Sequence, residues 1–112
     1  MPLTSLEQTV RYGRRPDHPT LLYDFLNERH AVVRGLPADN RAAAHLETFN
    51  LLLDVICDEC VPEPWRHLCL DNIYRPLDAM QCDAKSDDEF QLVRNCYQEL
   101  RASVAYFLTS RG

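Results

Sequence analysis

Residues 90–107 read FQLVRNCYQELRASVAYF and carry a sustained heptad pattern. Apolar and aromatic side chains recur there at alternating spacings of three and four residues, at Phe90, Val93, Tyr97, Leu100, Val104 and Phe107. Residues at these spacings share one face of an α-helix, so the pattern predicts a helix that packs along another helix. Only about three heptads fit before the chain ends, which is short for a coiled coil. The stripe therefore favours packing within a small bundle.

A capping sequence marks the start of this helix. Ser86 is followed three residues later by Glu89, so the two side chains can satisfy free backbone amides reciprocally. Asp87 and Asp88 complement the positive end of the helix dipole. We expect the helix to run from Ser86 to about Thr109.

Two further helices are predicted upstream. The first covers 19–34, between Pro19 and Gly35, which suit a helix start and a helix end. The second begins near Asp39, a good N-cap residue, and ends around Cys60 because prolines follow. Its broad apolar face suits a central helix and contains Leu46, Phe49, Leu52, Leu53, Val55, Ile56 and Cys60.

The third helical segment covers 63–81 and contains Pro76, which removes a backbone donor and predicts a kink or split at that residue.

A chain of 112 residues fits one hydrophobic core. We therefore predict an all-α fold, a small antiparallel bundle of about four helices. The prediction divides the chain into an irregular or partly helical arm, residues 1–18, and a single bundle domain, residues 19–112.

Charge is unevenly distributed along the chain. The net charge is −5, and residues 42–90 contain three basic against eleven acidic side chains. This balance repels a phosphate backbone and disfavours general nucleic-acid binding.

No apolar run approaches the length of a membrane span, and no signal-peptide pattern is present. We expect a cytoplasmic, bacterial protein that does not contact a membrane.

Five cysteines provide the most suggestive chemistry. Cys57, Cys60, His67 and Cys69 are candidate zinc ligands, because thiolates and imidazoles bind zinc and a two-residue gap between cysteines is a common spacing. However, residues two apart on a helix face different ways, which weakens the second pair. Small core thiols are the favoured interpretation, without a cofactor. Oxidation of Cys57 and Cys60 to a disulfide is a further alternative.

No catalytic constellation is apparent in the sequence. The histidines His18, His30, His45 and His67 match neither HExxH nor Glu-x-x-His spacing and are predicted at surface or boundary positions. Three glycines cannot build a phosphate-cradling loop, and no serine has a nucleophile-elbow context. The sequence therefore predicts a protein that is not an enzyme.

The most consistent functional hypothesis is a small regulatory or adaptor protein that acts through helix-mediated contacts. It would form a homodimer or bind a partner helix through its second or its last helix. The alternative is a metal- or redox-responsive protein that uses the cysteine segment. Aromatic and arginine residues dominate binding hot spots, and the candidate partner-binding residues are Trp65, Arg66, Tyr74, Arg75, Tyr97, Leu100 and Val104.

Overall fold

A computed structural model describes residues 4–107, and within them every regular element is a helix. The helices are α1 (Ser5–Tyr12), α2 (Thr20–Arg34), α3 (Ala38–Ile56), α4 (Glu63–Asn72), α5 (Tyr74–Asp83) and α6 (Asp87–Phe107). The all-α prediction is confirmed. The described part of the chain contains more helices than the four or so that were predicted.

Helix α1 lies inside the predicted N-terminal arm and is defined at both ends. Thr4 and Glu7 form a capping box at its start. Gly13 ends it in a left-handed conformation, with φ 58° and ψ 41°, and donates its amide hydrogen to the last turn. The Val10 side chain is fully buried, so α1 packs against the body of the protein.

Helix α3 begins and ends earlier than the sequence predicted. It starts at Ala38 after Pro37, so Asp39 lies in the first turn and is not the N-cap. It ends at Ile56 rather than near Cys60. The Asp58 carboxylate accepts a hydrogen bond from the Cys60 amide, 2.9 Å away. An aspartate that bonds the backbone two residues further on stabilises a turn, which competes with continuation of the helix.

The third predicted segment is two helices, α4 and α5, which meet at Ile73. The predicted kink at Pro76 is not shown. Pro76 lies in the first turn of α5, where a missing backbone N–H costs little because the first amides of a helix have no intrahelical acceptor.

Helix α6 confirms the predicted capping box. The Ser86 hydroxyl accepts from the Glu89 amide at 3.2 Å, and the Glu89 carboxylate accepts from the Ser86 amide at 3.1 Å. The Lys85 amide and the Ser86 hydroxyl also donate to the Glu89 carboxylate, and these donors together with the Ser86 amide lower the pKa of Glu89. The predicted end near Thr109 lies outside the described residues.

Helix α3 is the centre of the bundle, because it contacts each of the other five helices. Its apolar face supplies Phe49, Leu52, Val55 and Ile56 to the core, all fully buried. Helix α6 packs against α3 and α5. Within residues 4–107, no helix has the length and apolar character needed to cross a membrane.

Candidate functional site

The cysteine segment is not assembled into a metal centre. Cys69 is fully buried, Cys57 is half-buried and Cys60 is exposed, and all are free thiols. Burial raises the pKa of Cys69 to about 12, which keeps it in the thiol form. His67 is exposed and lies 3.5 Å from Glu63. Across residues 4–107, no three histidine, cysteine or acidic side chains are arranged to hold a metal ion.

Three of the predicted partner-binding residues lie in the interior. Trp65 is fully buried and donates its indole N–H to the Val10 carbonyl at 2.8 Å. Arg66 is 5 % exposed and donates from Nε and Nη2 to the Ile56 carbonyl, at 2.9 and 2.7 Å. Leu100 is 2 % exposed. Arg66 thus stabilises the end of α3, and these three side chains are not accessible to a partner in this conformation.

The other four predicted residues lie wholly or partly at the surface. Tyr74 and Arg75 on α5 are exposed, whereas Tyr97 and Val104 on α6 are half-buried. Arg75 donates to the Asn27 side chain at 2.7 Å and so links α5 to α2. The partner-accessible part of the prediction is therefore Tyr74, Arg75, Tyr97 and Val104.

Two tyrosines pair across the α5–α6 junction. The ring centroids of Tyr74 and Tyr97 are 6.4 Å apart, and the rings are inclined by 33°. The pKa of the Tyr97 hydroxyl is raised by burial and by the negative charge of the nearby Asp78 carboxylate. We call Tyr74, Asp78 and Tyr97 the tyrosine surface. It presents aromatic area beside a hydrogen-bond acceptor, a combination typical of contact sites.

A second feature is a cleft between α2, α3 and α5, which we call the histidine cleft. It has a volume of about 490 Å³. Its walls contain His30 and Arg34 from α2, Arg41 and His45 from α3, and Cys82 and Asp83 from α5, together with Val33 and Ala79. The imidazole rings of His30 and His45 are 6.3 Å apart. No sequence pattern indicates this cleft, because its walls come from three separate helices.

His45 departs from its predicted surface or boundary position, because only 6 % of it is exposed. Burial lowers its pKa below the ordinary value of 6.5. Asp83 opposes this shift, while the positive charges of Arg29 and Arg41 and the neighbouring His30 add to it. The neutral imidazole is therefore favoured in the folded protein.

The buried His45 predicts a loss of stability in mild acid. Its pKa is lower in the folded than in the unfolded chain, so the unfolded chain takes up the proton first as the pH falls below about 6.5. The contribution of neutral His45 to the stability of the fold is complete above that pH. It is lost as the pH falls through the pKa of His45 in the folded chain. Urea unfolding at pH 8 and at pH 5 should show a lower midpoint at pH 5. In His45→Gln this difference should shrink.

The matched control is His18→Gln, which replaces an exposed histidine outside the helices. It should keep the pH dependence of the wild-type chain. An unchanged dependence in His45→Gln would contradict the assignment of this effect to His45.

No protein-family model matches the chain, and no curated protein or solved structure shows significant similarity to it.

Proposed function

We propose that this chain is a non-enzymatic regulatory or adaptor protein that acts through helix-mediated contacts, and that a second copy of the chain is one of its partners. The contact would include the tyrosine surface and the outer side of α6. The observation that carries the proposal is a tyrosine pair at the surface, with Tyr74 exposed and Tyr97 half-buried, beside an apolar stripe that the bundle covers only in part.

Coverage of the α6 stripe is uneven. Val93 and Leu100 are 5 % and 2 % exposed and belong to the core. Phe90 is 39 % exposed, and Tyr97, Val104 and Phe107 are half-buried. Aromatic side chains gain free energy when an interface buries them, so this side of α6 favours association.

Helix α3, the second helix of the sequence prediction, is less suited to this role. Its apolar face is enclosed by the other helices, and Phe49, Leu52 and Ile56 are fully buried. A partner helix would have to displace the protein's own core to reach them. We therefore propose that the contact surface lies on α5 and α6 and does not include α3.

Removal of aromatic area from the tyrosine surface should weaken association. Tyr74→Ala and Tyr97→Ala should each raise the dimer dissociation constant by about tenfold, as loss of a moderate hot spot does. Tyr74 is 44 % exposed, so its truncation should cost the monomer little stability. Light-scattering mass across a concentration series, together with sedimentation equilibrium, measures the change.

Tyr23→Ala is the matched control, since Tyr23 is a tyrosine of similar exposure, 39 %, on α2. It should leave the dissociation constant unchanged. A wild-type chain that stays monomeric at all concentrations would contradict the homodimer. If capture of partners from a native lysate is also the same for wild type and Tyr74→Ala, the tyrosine surface is excluded as the contact.

A further inference from the structure

The histidine cleft combines a cavity with positive groups from two helices. Arg34 and His30 come from α2, and Arg41 and His45 come from α3. We propose that the cleft binds the phosphate group of a small molecule. This inference is independent of the tyrosine surface and goes beyond the proposed adaptor function.

The two arginines of the cleft have no carboxylate partner among residues 4–107. Arg41 donates to the carbonyls of Leu36 and Arg34, at 3.1 and 3.4 Å, and so holds its guanidinium at the α2–α3 turn. The Arg34 side chain makes no hydrogen bond or ion pair with any described residue. Nearby Arg29 differs, because it is paired with Glu47 at 3.4 Å. The Arg34 guanidinium and the Nη1 group of Arg41 are thus available for an anion.

The local charge of the cleft opposes that of the whole protein. Arg34 and Arg41 outnumber Asp83, the single carboxylate in the cleft wall, whereas the net charge of the chain is −5. His30 and His45 can each add a positive charge when protonated. An acidic protein that keeps arginines without carboxylate partners around a concave site concentrates anions there and repels them elsewhere.

Phosphate fits these donors better than a simple carboxylate does. Guanidinium groups bind phosphate oxygens through paired, charge-assisted hydrogen bonds, and a phosphate monoester has oxygens left for the two imidazoles. The cleft volume of about 490 Å³ lies within the range of small-molecule sites and exceeds what the phosphate group alone occupies. The apolar side chains of Val33 and Ala79 would contact the organic part of the ligand.

Removal of the Asp83 charge would distinguish an anion site from a cation site in this cleft. Histidine, cysteine and aspartate also bind transition metals, and His30, His45, Cys82 and Asp83 all line this cleft. However, residues 4–107 contain no set of three such side chains arranged to hold a metal ion. Loss of the Asp83 charge should strengthen phosphate binding, because it removes a repulsion, and should weaken binding of a metal ion.

The probes for the experiment are glycerol 3-phosphate and inorganic phosphate, titrated into the full chain in EDTA-containing buffer at constant ionic strength. Calorimetry and the imidazole NMR signals of His30 and His45 report binding. We expect saturable binding of both probes, with glycerol 3-phosphate tighter, and an upward shift of the His45 titration in their presence. Arg34→Gln should weaken binding by roughly tenfold. Asp83→Asn should tighten it by roughly fivefold.

Arg101→Gln is the matched control, since it removes an exposed arginine from α6, which does not line the cleft. It should bind both probes as the wild-type chain does. The proposal is overturned if neither probe saturates, if Arg34→Gln and Arg101→Gln behave alike, or if Asp83→Asn binds more weakly. Equal affinity for the two probes would overturn the assignment to an organic phosphate. Circular dichroism of each variant confirms that it is folded before titration.

Discussion

Replacement of Trp65 with alanine is expected to destabilise the fold by about 3–5 kcal/mol, the usual cost of truncating a buried tryptophan. Trp65 is fully buried, and its indole N–H binds the Val10 carbonyl at 2.8 Å. It therefore joins α4 to α1, and the cavity left by alanine would lie beneath Val10 and Gly13. Because Trp65 is the single tryptophan, urea unfolding should be followed by far-UV circular dichroism.

The effect should be largest on α1. The Trp65 indole holds α1 through the Val10 carbonyl, so its loss should allow α1 to detach before the rest of the bundle unfolds. Hydrogen exchange of the α1 amides should therefore become much faster in Trp65→Ala. A loss below about 1 kcal/mol would contradict the anchoring role of the indole, because that is no more than the average single substitution costs.

Two milder substitutions serve as controls. Trp65→Phe keeps most of the apolar volume, and the Val10 carbonyl retains the Gly13 amide as a donor at 3.3 Å. Its cost should therefore be about 1 kcal/mol, the net value of one hydrogen bond. Tyr106→Ala truncates an aromatic residue that is 71 % exposed and should change stability by less than about 0.5 kcal/mol.

Helix positions followed from local patterns in the sequence. The Ser86 and Glu89 pair correctly predicted the start of α6, because a capping box depends only on residues three apart. Thr4 and Glu7 have the same spacing and mark α1, a signal that the interpretation of residues 1–18 as an arm did not use. The early end of α3 also has a local cause, because the Asp58 carboxylate accepts a hydrogen bond from the Cys60 amide and so stabilises a turn.

Features that depend on tertiary contacts were not predictable. Burial of His45 results from packing of α3 against α2 and α5, and periodicity alone does not reveal which polar residue is enclosed. The histidine cleft combines residues of three helices that are far apart in the chain. Arg66 likewise looked like a surface hot spot, whereas it binds the carbonyl that ends α3. Such sites become visible only when the helices are placed in three dimensions.

Replacement of Gly13 with alanine is expected to cost about 2–5 kcal/mol, from two independent sources. The left-handed φ of 58° disfavours any residue with a Cβ atom, by about 1–2 kcal/mol. An added Cβ would also lie 2.8 Å from the Val61 side chain and 3.0 Å from the Trp65 ring, so the tight packing must shift, which costs about 1–3 kcal/mol. Urea unfolding of Gly13→Ala measures the total.

Gly35→Ala provides a matched control for Gly13→Ala, because both glycines are C-cap residues. Gly35 has an ordinary φ of −82°, and an added Cβ would meet only the Val32 carbonyl oxygen at 3.5 Å, a normal contact distance. Alanine at this position should be neutral or stabilise the protein by up to about 1 kcal/mol, since it reduces the freedom of the unfolded chain. Equal effects of the two substitutions would show that neither the left-handed backbone nor the contact with Trp65 constrains position 13. A large loss confined to Gly13→Ala, with faster hydrogen exchange in α1, would place both constraints at the junction that Trp65 fills.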